Sequence, residues 1–382
     1  MTASRKVRCI AALFLVVVLT SFAVSQTAPP PTVSPAVARA QHLRRGINLS
    51  EWFAQVWDKR GYTREHFETW TTVDDIALIK SMGFDHVRLS VNPQPMFTMN
   101  QPQKLPPEYL SYLDAAVKMI LDHGLVVVID MHPESDFKQR LAKDDSFVEQ
   151  FSDFWRAVAQ HYSAWDPDRV IFEVLNEPEL GDRYRWVGVQ TKLASAIREG
   201  APKHTIIAAG ARWSDDDDLL FQEPLRDPNV IYNFHFYEPH IFTHQGATWG
   251  EYYWHWLKGL HYPSTPETAE QVAMLVPSEV DRLRVIRYGR DHWDAARMES
   301  EMKQAAEWAD RRGVSLVCNE FGVYRMADPQ DRVGWIHDVR VALEHNKIGW
   351  TMWDYSGSFG VVTKKDGRAI PDDGALKALG LK

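Results

Sequence analysis

Two glutamates, Glu177 and Glu320, each close an apolar, strand-like run. The first run reads Val170-Ile171-Phe172-Glu173-Val174-Leu175-Asn176-Glu177-Pro178, and the second Val314-Ser315-Leu316-Val317-Cys318-Asn319-Glu320-Phe321-Gly322. A carboxylate is costly beside a buried strand unless something there uses its charge. Two such placements, each where a strand gives way to a loop, suggest a paired-carboxylate centre, and paired carboxylates are the machinery of glycoside hydrolysis. The ends of other strand-like runs also carry functional side chains: Arg88, His132, Asn176, His235, Tyr237 and Trp353. His235 and Tyr237 are two apart on one strand and so share a face.

Convergence of these residues depends on the elements that carry them. Strands are expected at residues 45–50, 86–91, 126–132, 170–177, 205–210, 230–237, 315–320 and 348–353. Several are continuous apolar runs, as in parallel strands buried on both faces. Amphipathic helices are expected between them at 73–82, 107–122, 146–162, 184–199, 299–312 and 330–344, the first two stopping at Gly83 and Gly124. Repeated β-then-α units point to an α/β fold, a (β/α)8 TIM barrel spanning residues 43–382, whose strand ends all open on one mouth. A doubly wound open sheet is the rival, but no glycine-rich phosphate loop follows the first strand.

An insertion at 238–297, after the sixth strand, holds His244, Trp249, Tyr252, Tyr253, Trp254, His255 and Trp256. Loops after barrel strands face the mouth, so these rings could stack on sugars; equally, they could form a small core of their own. Trp249 is the one expected to face the cleft.

The rest of the chain bounds the setting. A net charge of -8 without a basic stripe argues against a nucleic-acid partner. Arg5, Lys6 and Arg8 precede an apolar stretch from Ile10 to about Val24, and Ala23-Val24-Ser25 supplies small residues for cleavage. Residues 1–25 therefore read as a signal peptide, cleaved near Ser25, which makes the protein secreted or periplasmic. A retained anchor is the alternative, although the stretch is short for a membrane span. Residues 26–42, with Pro29-Pro30-Pro31 and Pro35, read as a flexible leader. After cleavage Cys318 would be the one cysteine left, expected as a small buried side chain with no disulfide. A monomer without stable membrane association is expected.

The ordered set of motifs resembles glycoside hydrolase family 5, the large cellulase family, from Arg45-Gly46-Ile47-Asn48-Leu49 to Trp350-Thr351-Met352-Trp353. It comprises Arg88 on the second strand, His132 after the third and Asn176-Glu177-Pro178 after the fourth. His235-Phe236-Tyr237 follows on the sixth, Glu320-Phe321-Gly322 on the seventh and Trp353 on the eighth. The resemblance implies Glu177 as acid/base and Glu320 as the nucleophile of a retaining mechanism, with carboxyl groups about 5–5.5 Å apart. It further implies that Arg88 and Tyr237 hold Glu320 as an anion, that His235 stands beside Glu177, and that Trp353 floors the site. Asn176 would bind the sugar 2-hydroxyl and His132 another hydroxyl.

Other candidates read as structural. Glu173 and Asp130 are expected as interior hydrogen-bonded groups, while Glu51 and Trp52 could reach the cleft. Asp215 to Asp218 read as a solvated helix start rather than a calcium site, and His240 and His244 lack a His-Glu-x-x-His context. No metal and no cofactor is expected. The sequence thus points to a β-glycosidase acting on a polysaccharide or oligosaccharide, foremost an endo-β-1,4-glucanase. A mannanase, a xyloglucan hydrolase or an exo-β-glucanase of the same family stays open. A non-catalytic carbohydrate-binding barrel is the reading from another class.

Overall fold

The computed structural model describes residues 34–382; the expected signal segment and the first part of the leader lie outside them. Eight strands form a closed barrel: β1 (Arg45–Phe53), β2 (His86–Val91), β3 (Val126–Met131), β4 (Val170–Glu173), β5 (Ile206–Ala208), β6 (Val230–Phe236), β7 (Ser315–Phe321) and β8 (Gly349–Met352). Neighbours pair in parallel in sequence order, and β8 closes on β1. Helices cover the outside. The helix Asp145–Tyr162 shows how: Asp144 caps it by accepting from the Phe147 amide at 3.1 Å, and Phe147, Phe151, Phe154, Trp155 and Val158 form its buried stripe. The helix Val73–Met82 opens on a Thr72/Asp75 capping box and stops at left-handed Gly83 (φ 101°), the glycine stop expected there.

Inside the barrel, alternate residues of each strand point inward, and they divide into two zones. Val126, Val128, Ile171, Ile207, Ile231 and Val317 make an apolar lower layer. Above it lie Arg88, Asp130, Glu173, Asn233 and Asn319, all buried.

The lower end is closed by a helix inside the segment expected to be a flexible leader. Pro35–Ala40 is helical, and Ala36, Ala40 and Leu43 pack on the apolar layer. Arg39 locks it by donating to the Lys203 carbonyl (2.6 Å) and Thr205 Oγ1 (2.9 Å) and by pairing with Asp168. The leader assignment is corrected for residues 35–40. Proline at a first helical position is favourable rather than disruptive, and an open barrel base needs apolar cover.

Several strands are shorter than expected. β4 ends at Glu173 rather than at 177, and β5 covers only Ile206–Ala208. The insertion is real and largely helical: His240–Thr243, a 3-10 turn at Tyr252–Trp256, Pro266–Ala273 and Glu279–Arg290 precede the barrel helix Ala295–Arg312. Its Trp254, Leu257, Leu260 and Tyr262 join the main core. A hairpin, Val362–Lys365 with Arg368–Pro371, and a helix, Asp373–Ala378, follow β8. Among the described residues no helix is long and apolar enough to cross a membrane.

Candidate active site

Glu320 reaches the mouth through an irregularity in β7. The β6–β7 register runs Phe234 with Cys318, then His235 with Glu320, so Asn319 is passed over. Successive strand residues normally face opposite ways, but this bulge turns both Asn319 and Glu320 into the barrel. Asn319 Nδ2 donates to Glu173 Oε2 at 2.7 Å. Glu320 Oε1 accepts from Arg88 Nη1 at 2.6 Å and Oε2 from the Tyr237 hydroxyl at 2.9 Å. A side chain at Gly322 would run into the Trp353 carbonyl, which accounts for the glycine after Glu320-Phe321. Cys318 is buried, its thiol donating to the Glu320 carbonyl at 3.3 Å.

Glu177 arrives differently. Past the end of β4 the Asn176 amide donates to the Met131 carbonyl at 2.8 Å, and Glu177 itself is left-handed (φ 41°), a conformation uncommon outside glycine. Its Oε1 lies 2.9 Å from His235 Nδ1, which is also 3.4 Å from Glu320 Oε2. Ligand atoms of Glu177, His235 and Glu320 all fall within 4.8 Å of one another. These three could geometrically hold a cation, but both oxygens of Glu320 already accept from protein donors.

The protonation pattern follows from burial and partners. Burial pushes His235 down to about 4, so its ring is neutral with one N–H. Its Nε2 has no partner among the described residues, so the network assigns the proton to Nδ1, facing the carboxyls. Burial also pushes Glu320 up to about 7, with the Glu177 charge adding to the effect and Arg88 working against it. Two carboxyls this close share protons as a pair. Arg88 can only donate, and the Tyr237 hydroxyl donates as well, so both partners favour the ionised form of Glu320.

The other expected residues surround the pair. His132 is held neutral, well below its usual range, by burial; its Nδ1 lies 2.8 Å from Asp130 and its Nε2 3.1 Å from Asn176 Nδ2. Burial pushes Asp130 up to about 6 against the pull of Arg88. The Asn176 carbonyl oxygen accepts from Arg88 Nη2 at 2.9 Å, so its amide group keeps one N–H for a ligand. Trp353 lies nearly parallel to the His132 ring, at 5.6 Å and 15°.

Residues 49–358 match the family described as Cellulase (glycosyl hydrolase family 5). Endoglucanase C of Acetivibrio thermocellus is 31% identical over 324 residues, covering 82% of this chain and 91% of that protein. Cellodextrinase A of Ruminococcus flavefaciens is 27% identical over 318 residues, covering 81% and 84%. Cel5A of Thermotoga maritima, solved in complex with cellobiose, superposes with a TM-score of 0.73 at 25% identity, covering 90% of this chain and 99% of that one. The chain belongs to glycosyl hydrolase family 5, the cellulase family. It is a glycoside hydrolase on a (β/α)8 barrel.

In this family 5 enzyme the carboxyl pair opens on a groove of about 1540 Å³. Three tryptophans on its walls expose much of their surface: Trp57 (74%), Trp213 (56%) and Trp249 (45%). Trp249 lines the groove, edge-on to Tyr324 at 4.9 Å; Trp254 of the same insertion also touches the groove but is mostly buried in the core. The insertion aromatics are thus divided between groove wall and core, with Trp254 in both. Glu51 lines the groove, pushed up to about 7 by burial and by Asp354. Trp52, entertained as a cleft residue, is buried instead, its indole donating to the Phe67 carbonyl at 2.9 Å.

The sequence reading missed Trp57, Trp213 and Gln55. Gln55 (φ 46°) and Trp213 (φ 48°) are both left-handed, strain of the kind that collects at binding sites. The available signal was position: all three follow β1 or β5 on the side of the mouth. The acidic run also needs correcting. Asp215 caps the helix Asp216–Phe221, but Asp218 is buried and paired with Arg183 and Arg212 rather than solvated.

Proposed function

We propose that this enzyme is an exported endo-β-1,4-glucanase that works by double displacement, with Glu320 as nucleophile and Glu177 as acid/base. The observation that carries the mechanism is the closeness of the two carboxyls, one oxygen of Glu177 lying within 4.8 Å of one oxygen of Glu320. That agrees with the roughly 5–5.5 Å of retaining enzymes rather than the roughly 6.5–9.5 Å that makes room for water in inverting ones. Glu320 attacks the anomeric carbon while Glu177 gives its proton to the departing glycosidic oxygen. Water, deprotonated by Glu177, then hydrolyses the glycosyl ester. Glu320 loses its charge in that ester, yet Arg88 keeps Glu173 and Asp130 as partners, so no guanidinium is stranded. Trp353 offers an apolar floor, and Asn176 and His132 line the same groove, with an Asn176 N–H left for a sugar hydroxyl.

The open groove and its separated tryptophans support binding of a polysaccharide across the site, as does similarity to Endoglucanase C. Similarity to Cellodextrinase A supports a second reading, action on oligosaccharides. Product lengths from carboxymethylcellulose, mannan, xyloglucan and β-1,3-glucan separate these readings. Glu177→Gln and Glu320→Gln should each remove hydrolysis of polymer with the fold retained; a variant as active as the parent overturns its assignment. Export rests on the basic, then apolar N-terminal segment; a secreted protein that does not begin near Gln26 would argue against cleavage. A monomer is proposed, to be checked by light scattering.

A further inference from the structure

In the mechanism above the buried carboxylate Glu173 is only a standing partner for Arg88. Glu173 lies on β4 inside the barrel, fully buried, and is absent from the groove wall. It takes Arg88 Nε and Nη2 at 2.8 Å each, one oxygen apiece. A guanidinium is a rigid planar fork, so fixing two of its nitrogens aims the third. That third nitrogen, Nη1, meets Glu320 at 2.6 Å and Asn48 at 3.0 Å. Glu173 also accepts from Asn319 at 2.7 Å, the residue that shares the β7 bulge with Glu320. A last donor, Asn233 at 2.9 Å, lies two residues before His235 on β6. Glu173 thus holds the guanidinium that grips the nucleophile, the strand irregularity that presents it and the strand bearing its histidine.

We propose that Glu173 is a positioning residue for the reaction, setting through Arg88 and Asn319 where the Glu320 carboxylate stands. The proposal rests on Glu320 being the nucleophile. Burial pushes the Glu173 carboxyl up and Arg88 opposes it; with four donors around it and no acceptor, it remains a carboxylate.

A bland role, neutralising Arg88, predicts a different result. The titratable groups around Glu320 are Arg88, Asp130, Glu177, His235 and Tyr237, with Glu173 on the other side of the Arg88 guanidinium. Were Glu173 only a charge, its removal would take a negative neighbour from Glu320 and let it ionise at lower pH. Were it a positioning group, its removal would let Arg88 drift off Glu320, which would then ionise at higher pH. In Glu173→Gln an amide N–H2 replaces one acceptor oxygen and meets donors.

The test measures Glu173→Gln in the full chain on 2,4-dinitrophenyl β-cellobioside. The expected result is a kcat about 10²-fold lower, KM nearly unchanged, and an acid limb of the pH–rate profile displaced to higher pH by ~1 unit. An acid limb that stays or moves down, or a kcat equal to the parent's, overturns the proposal. Asn233→Ala removes one brace and no charge, so it should move the same readouts in the same direction by a smaller amount. Should Glu173→Gln not fold, an Asn233→Ala enzyme at parental kcat overturns the proposal. An inactive Glu320→Gln beside a fully active Glu173→Gln sinks only this inference, whereas an active Glu320→Gln sinks the assignment beneath it.

Discussion

The Tyr237 hydroxyl donates to Glu320 Oε2 at 2.9 Å, on the oxygen that Arg88 does not reach. Tyr237→Phe removes a donor to a buried carboxylate, a hydrogen bond worth about 1.5–3 kcal/mol, or roughly tenfold to a hundredfold in rate. The sign for pH is fixed by what is lost. The donor favours the ionised form, so without it Glu320 protonates at higher pH and the acid limb of kcat/KM should move up. Burial already raises Glu320, so even the parent should lose activity on the acid side above the ~4.3 of an ordinary glutamate. A Tyr237→Phe enzyme with an unmoved acid limb would separate Tyr237 from the ionisation of Glu320.

Glu177→Gln makes a different prediction. Removal of this group should abolish polymer hydrolysis. On substrates whose leaving group needs no proton it should spare kcat/KM, which reports the first step, while kcat falls because water then lacks its base. On such an aryl glycoside the acid limb of kcat/KM should stay, because it reports Glu320. An acid limb that disappears in this variant would assign it to a group other than Glu320.

The exposed tryptophans should affect polymer length dependence rather than chemistry. The Trp213 amide donates to the Pro178 carbonyl at 2.8 Å, one residue beyond Glu177, and its ring lines the groove. Trp213→Ala should lower kcat/KM on cellopentaose by about threefold to tenfold, given stacking worth ~0.5–1.5 kcal/mol. Aryl glycosides with a small leaving group should be hydrolysed as before. An equal loss on both substrates would place Trp213 in the chemistry instead.

At the opposite end of the barrel, Leu43→Ala should destabilise without altering catalysis. Leu43 is buried in the lower layer with Ala36 and Val317. Loss of its side chain there should cost about 2–5 kcal/mol, read by chemical denaturation, with kcat unchanged at temperatures where the variant is folded.

Continuous apolar runs made the barrel legible in the sequence, and β2 spans the very residues expected, His86–Val91. The Glu177, His235, Tyr237 and Glu320 cluster was legible because each residue lies at the end of such a run and parallel strands share one mouth. Arg88, by contrast, sits mid-strand in β2 and was legible only through the ordered family motif. What escaped depended on three-dimensional context. The Pro35–Ala40 helix is short, and its stability comes from the barrel base it covers, which no local pattern encodes. The run through Val174-Leu175 reads as strand, yet the chain leaves β4 at Glu173 and turns at left-handed Glu177. Gln55 and Trp213 are aimed by similar backbone conformations, and residue type alone does not announce them.

The extra residue in β7 has a further consequence for anyone redesigning this enzyme. Because Asn319 and Glu320 both face inward only by virtue of that irregularity, the strand behaves like a keyed shaft. Amino-acid exchanges along it leave the key in place, whereas deletion of one residue would turn the Glu320 carboxylate out between barrel and helices. Libraries that vary segment length can therefore explore the loops freely, but residues 315–321 should keep their number.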